Sequence, residues 1–145
     1  MNLSRAFAYA LQALVYLARQ DGDALVPSHA VASAISGPQQ FLLRILGPLV
    51  SVGVLHARKG RRGGYRLARP AETITLLEIV EAVDGTLRAE APQASEDAAF
   101  DRRLQAVCED VAQLVRPVLE RVTLADLAEE KSAGKKGARQ KRGDA

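Results

Sequence analysis

Residues 41–70 read FLLRILGPLVSVGVLHARKGRRGGYRLARP and contain two different patterns. The first half of this stretch belongs to a helix that we expect to open with Pro38 and run to about Val52, because apolar residues recur there at helical spacing. Its second half contains two short strand candidates, residues 54–58 and 64–68, on either side of the turn KGRRGG. The stretch therefore predicts a helix followed by a basic hairpin with a glycine-rich tip.

The predicted helix at 38–52 has two different faces. At about 100° per residue, one face collects the apolar side chains Phe41, Leu42, Ile45, Leu49 and Val52. The opposite face collects Gln40, Leu43, Arg44 and Gly47, with Gln39 near the front. We expect the first face to pack inward and the second to point outward. Gly47-Pro48 is expected to loosen or kink this helix near its end.

The segments around this stretch predict further helices. Residues 3–19 form an amphipathic pattern with Asn2 or Ser4 as its cap. A short second helix opens at Pro27-Ser28, where Ser28 is expected to accept from the first free amides, and it stops at Ser36-Gly37. Thr75 and Glu78 match a capping box at the start of a helix that Asp84-Gly85 ends. Residues 86–95 are interpreted as a loop.

The C-terminal half contains a heptad pattern. Its apolar positions are spaced alternately by four and three residues: Phe100, Leu104, Val107, Val111, Leu114 and Val118. Such a helix either packs on its own domain or pairs with a second copy of the chain. We expect Pro117 to kink it or make it restart, Thr123 to cap a final short helix, and residues from Lys131 onward to be disordered.

Charge and composition narrow the function. The net charge is only +3, but residues 55–69 hold six basic side chains and no acid, and residues 131–142 hold six more. Such clusters of positive charge are typical of a protein that binds a polyanion. The single cysteine, Cys108, excludes an internal disulfide and suits a cytoplasmic protein, and no apolar run predicts a membrane span. We find no nucleophile–base pair and no metal-ligand cluster, so no enzyme, cofactor or metal is predicted.

The order of these elements predicts the fold class: mainly α with a small β-hairpin wing, that is, a winged helix-turn-helix domain followed by a long C-terminal helix. We assign residues 1–85 to the DNA-binding domain, 86–130 to a linker and dimerisation region, and 131–145 to a basic tail. The third helix can enter a major groove while the wing reaches the adjacent backbone. The alternative is a winged-helix module that binds protein, which would not need six uncompensated positive charges on its wing.

Several stretches together resemble the Rrf2 family of bacterial transcription regulators, most specifically RGGYRLARP and ITLLEIVEAVDG in that order, and the resemblance spans residues 1 to about 130. It implies a homodimer on a palindromic operator, paired through the long C-terminal helix. At the positions that match the family's recognition helix, this sequence has Gln39, Gln40 and Arg44, which would contact the major groove. The wing would consist of Arg58, Lys59, Arg61, Arg62, Gly63 and Gly64, and Arg5 and Ser28 would contact phosphates.

Two departures from the family pattern bear on function. Members that bind an iron–sulfur cluster carry three cysteines after the EAVDG helix, whereas residues 85–107 contain none. We therefore predict a repressor without a cluster. Its signal is left open between a small molecule, a protein partner and oxidation of Cys108, and a buried apolar role is the main expectation for this cysteine. Second, Leu43 stands where some members have an acid, and it can meet a thymine methyl group but cannot accept from cytosine.

Overall fold

The structure, a computed structural model, describes residues 3–87, 90–91 and 96–129. Within these ranges the chain forms α1 (Arg5–Ala18), α2 (Ser28–Ile35), α3 (Gln39–Ser51), β1 (Leu55–Arg58), β2 (Gly64–Leu67), a 3-10 turn (Ala71–Thr73), α4 (Leu76–Asp84) and α5 (Ala98–Arg121). Residues 124–129 are also helical. This order confirms the predicted winged helix-turn-helix with a long C-terminal helix.

The helix starts differ slightly from the predicted ones. Ser4 caps α1 by accepting from the Phe7 amide at 3.0 Å, as one of the two predictions had it, whereas Asn2 lies outside the described residues. The prediction that Ser28 caps α2 is wrong, because Pro27 holds the extended cap conformation and Ser28 is already helical. Pro38 likewise caps α3 instead of occupying its first turn. Two prolines with fixed φ therefore set both helix starts.

The core surrounds α1. Ala10, Ala13 and Leu14 are fully buried on α1, which contacts α2, α3 and α4. Small alanines allow this close approach of neighbouring helices. The C-terminal part of the chain also contributes to the core, because Leu119 and Leu124 belong to the same apolar cluster.

The inner face of α3 is wider than predicted. Leu42, Ile45 and Leu49 are buried as expected, and Leu46 is buried with them. The prediction that Val52 packs inward is wrong: the helix ends at Ser51, and Val52, its C-cap residue, is 53% exposed. The helix runs continuously through Gly47-Pro48. Glycine suits the position before a helical proline, since it has no Cβ to meet the proline ring.

The hairpin forms in the predicted place, with each strand one residue shorter. Leu55 pairs with Leu67 and Arg58 with Gly64 in antiparallel register. A further bridge joins Tyr65 to Val26, whose backbone groups exchange two hydrogen bonds of 2.8 Å. The hairpin is therefore attached to the residue immediately before Pro27, at the start of α2.

The C-terminal half is tied back to α4. Thr75 and Glu78 form the predicted capping box, and Thr123 caps the final helix by accepting from the Asp126 amide at 3.2 Å. The predicted restart at Pro117 is wrong, because α5 is one helix of 24 residues. Its two flanking turns are held in place: Val115 packs on the core and Leu119 is buried within it. Residues 131–145, predicted to be disordered, lie outside the described residues.

Candidate nucleic-acid interface

The starts of α2 and α3 are joined by one side-chain contact. The Gln39 Nε2 amide donates to Ser28 Oγ at 2.9 Å. Two residues predicted to contact DNA are thus brought together, and the Ser28 hydroxyl keeps its own proton to donate elsewhere. Sequence reasoning placed both residues on the interface but did not foresee this contact, because it joins different helices.

Both helix starts favour an anion. Neither α2 nor α3 has an acidic residue in its first turn, and neither cap residue supplies a side-chain acceptor. The free amides at a helix N-terminus and the positive end of the helix dipole attract phosphate groups. The surface at these two starts is therefore suited to a nucleic-acid backbone.

The outward face of α3 is available to a ligand. Gln40, Leu43 and Arg44 are all exposed, as the spacing predicted. Between Asp23 and Glu72 the sequence contains no carboxylate at all. This face therefore offers amide, guanidinium and apolar groups with no negative charge to repel a phosphate backbone.

The wing adds positive charge beside this face. Arg58, Lys59, Arg61 and Arg62 are exposed around the turn between β1 and β2, and Arg66 is half-buried on β2. None of these five forms an ion pair with any residue that the structure describes. They form a cluster of five cations, which we call the wing cations.

The sixth basic residue of this stretch is not free. Arg69 Nη2 lies 2.6 Å from Glu78 Oε1, and Arg69 also donates to the Thr73 carbonyl. The prediction of six uncompensated charges is therefore wrong by one, because Arg69 holds the start of α4. Burial raises the pKa of Glu78, but hydrogen bonds from the Thr75 amide and from Arg69 outweigh burial and leave that pKa below its ordinary value.

The glycines of the turn serve the protein itself more than an approach to DNA. A Cβ on Gly64 would lie 2.2 Å from the Val26 carbonyl oxygen, and one on Gly63 would lie 2.1 Å from that of Arg58. Gly60, by contrast, has open space around it. Gly63 and Gly64 are therefore required by the fold itself, because the backbone packs on itself there.

The buried end of the wing is formed by Tyr65 and Leu67. Both side chains are half-buried and pack against the core. Burial raises the pKa of Tyr65, so its hydroxyl stays protonated at neutral pH. This packing fixes the wing relative to α1 and α2.

Arg5 lies at the other side of the α3 start. It is exposed in the first turn of α1, one turn before Tyr9 and hence on the same helix face. The Tyr9 ring packs edge-on against Phe41 of α3, with ring centroids 5.6 Å apart. Ser4, next to Arg5, donates its hydroxyl to Asp84 at the end of α4. These contacts place Arg5 at the α1–α3 junction; its contact with a phosphate stays a prediction.

A second surface runs along α5. Five of the six predicted heptad residues are between 49% and 74% exposed, and Leu104 is half-buried: Phe100, Leu104, Val107, Val111, Leu114 and Val118. Such a contiguous exposed apolar stripe is unusual on a monomer. Arg116 Nη2 binds Glu81 Oε1 at 2.7 Å and fixes the last turns of α5 on α4.

Cys108 lies outside that stripe. It is half-buried, not fully buried as predicted, and shares its helix face with Val115 and Leu119. It is the only cysteine of the chain, and the described residues contain no group of three or more His, Cys, Asp or Glu side chains able to hold a metal. A cluster held by several thiolates does not fit this donor set. No helix in the described part of the chain is long and apolar enough to cross a membrane.

Comparisons with known proteins agree with this geometry. Residues 3–130 match the Rrf2 family, described as iron-dependent transcriptional regulators. A Mycobacterium tuberculosis protein named as an HTH-type transcriptional regulator is 33% identical over 131 residues, which cover 88% of this chain and 81% of that protein. The HTH-type regulator IscR of Cereibacter sphaeroides is 40% identical over 91 residues, 61% of this chain and 59% of that protein.

Solved structures share the fold. Oxidized CymR of Staphylococcus aureus superimposes with a TM-score of 0.67 at 30% identity, covering 89% of this chain and 97% of that chain. CymR of Bacillus subtilis, the global cysteine regulator, gives a TM-score of 0.70 at 24% identity, covering 90% of this chain and 98% of that chain. With the family match over most of its length, the chain belongs to the Rrf2 family of DNA-binding transcriptional regulators.

Proposed function

We propose that this protein is a homodimeric repressor that binds a palindromic operator through α3 and the wing, without a metal cluster. In this proposal residues 1–85 read DNA, residues 86–130 link and pair the protomers, and the basic residues 131–145 add non-specific attraction. The observation that carries it is the carboxylate-free surface formed by the two helix starts, the outward face of α3 and the five wing cations.

The roles of the DNA-contacting residues follow from their chemistry. Gln40 and Arg44 are exposed on α3 and can form paired hydrogen bonds with adenine and guanine edges in a major groove about 12 Å wide. Gln39 is bound to Ser28, so both serve the backbone at the helix start. The exposed wing cations and Arg5 neutralise phosphates, which sets affinity more than sequence choice.

Dimerisation is supported by the exposed stripe of α5. A helix of 24 residues is about 36 Å long at 1.5 Å per residue, which gives a long surface for a second copy. A pair of identical chains related by a two-fold axis reads an inverted repeat with one recognition helix in each half-site. A dimer on two successive major grooves excludes other proteins from that DNA, which supports repression.

The wing argues against a protein-binding module as the main function. Five cations without ion pairs to described residues give a surface that a neutral protein partner does not need. Polyanionic DNA explains them directly.

The proposal is tested by recovering bound fragments from the sheared source genome and transcribing the enriched promoters in vitro. We expect enrichment of discrete intergenic fragments and lower transcript yield as protein is added. Fragments recovered at random would overturn specific DNA binding. A higher yield from the enriched promoters would overturn repression alone.

A further inference from the structure

We propose that Leu43 makes DNA binding depend on a pyrimidine 5-methyl group, so that 5-methylcytosine can replace thymine at one position of each half-site. The inference rests on the proposed function, since it needs α3 in the major groove. It extends that function from unmodified operators to methylated DNA.

Leu43 stands apart from the apolar core. Its side chain is 42% exposed, whereas its neighbours Leu42 and Leu46 are 1% and 0% exposed. The fold therefore obtains its apolar contacts from other residues of α3. The Leu43 side chain is therefore free to contact a ligand at the centre of an otherwise polar outward face.

The residues one turn away leave Leu43 uncovered. Gln39, one turn before it, is drawn to Ser28 by the 2.9 Å hydrogen bond. Gly47, one turn after it, has no side chain, and the space around its Cβ position is empty. Residues one turn apart share a helix face, so Leu43 forms an isolated apolar projection from α3.

The major groove contains one apolar group that fits such a projection. Thymine presents its C5-methyl group there beside the O4 acceptor. 5-Methylcytosine presents the same methyl group beside an amino donor. Leu43 has no hydrogen-bonding atom, so its contact depends on the methyl group and not on the neighbouring O4 or N4.

The surrounding charges do not exclude the methylated base. Because the sequence contains no carboxylate between Asp23 and Glu72, the interface has no acidic side chain that would select cytosine by accepting from its amino group. Gln40, next to Leu43 on the exposed face, contains both a donor and an acceptor. The site therefore tolerates either exocyclic group beside the methyl.

The probe for the test is the duplex most enriched by selection from random DNA. Each thymine is replaced in turn by deoxyuridine, which removes only the methyl group, and dissociation constants are measured by fluorescence anisotropy. We expect one sensitive position per half-site, where burying one methyl group is worth about four-fold in affinity. Changing both half-sites weakens binding about sixteen-fold on the same basis. A duplex with cytosine at the sensitive position should bind the protein about four-fold more weakly than one with 5-methylcytosine at that position.

Variants assign the effect to Leu43. Leu43→Ala should abolish the difference between thymine and deoxyuridine. Val52→Ala, which changes another exposed apolar residue just past α3, should preserve it. The inference is overturned if no thymine is sensitive, or if Leu43→Ala retains the full difference. A different result would overturn the proposed function: the wild type would then bind the selected duplex no more tightly than a scrambled duplex.

Discussion

Removing two wing cations gives a quantitative test of the DNA-binding surface. Arg61 and Arg62 are exposed at the tip between β1 and β2, and neither forms an ion pair with a described residue. Each contact between a cation and a phosphate contributes about 0.9 to the slope of log affinity against log salt concentration. In a dimer the double change Arg61→Ala, Arg62→Ala removes these contacts from both wings, so the slope should fall by about 3.6.

The change in slope predicts a large difference in salt sensitivity. Between about 50 and 200 mM salt, the wild type should lose about a hundred-fold more affinity than the double variant. Fluorescence anisotropy with a labelled duplex at several salt concentrations measures this directly. Because the lost contacts are to phosphates and not to bases, the loss of affinity should be similar for specific and random duplexes.

A matched variant separates the wing from a general effect of charge. Arg102→Ala, Arg103→Ala removes the same charge from two exposed arginines in the first turns of α5. This control should leave the slope unchanged. Equal slopes for the wild type and the wing variant, or equal reductions in both variants, would refute the assignment of the wing to DNA.

Three other changes test separate parts of the account. Gly64→Ala should destabilise the fold by about 2–4 kcal/mol in urea denaturation, since its Cβ would meet a backbone carbonyl and break two hydrogen bonds; Gly60→Ala, whose Cβ would meet no atom and would strain only the backbone at φ +106°, should cost less. Leu114→Glu should raise the dimer dissociation constant about a thousand-fold, because burying each leucine is worth about 2 kcal/mol, while Gln113→Glu should not; equal sedimentation of the two variants would contradict the α5 interface. Glu78→Gln should lower stability at pH 7, and the difference should shrink as the pH falls through the lowered pKa of Glu78, because its contribution disappears on protonation; a difference that stays constant into acid would contradict this.

Local sequence signals predicted most of the fold. The capping box at Thr75, the Ser4 cap and the two short strands depend on residues close together in the chain, so their patterns are readable directly. Some local expectations were wrong. Pro117 does not make α5 restart, since buried contacts hold both flanking turns. Val52 fits the helical spacing of the inner face but is exposed at the end of α3, which spacing alone does not predict.

Contacts between distant segments could not be predicted. The pairing of Val26 with Tyr65 has no sequence signal beyond a β-branched residue before Pro27, yet it fixes the wing and explains Gly64. The ion pair of Arg69 with Glu78 joins residues nine apart and removes one charge from the predicted wing. Helical spacing correctly placed Gln40, Leu43 and Arg44 on the outside, but exposure alone does not assign their bases.

Whether two copies of the chain bind one inverted repeat is decided by selecting binding sites from random duplex DNA and measuring the mass of the resulting complex in solution. Two copies reading one operator should enrich an inverted repeat whose half-site centres lie in successive major grooves, about 34–36 Å apart, and the complex should contain two protomers. Enrichment of a single unrepeated site bound by one protomer, or no enrichment at all, would contradict the account.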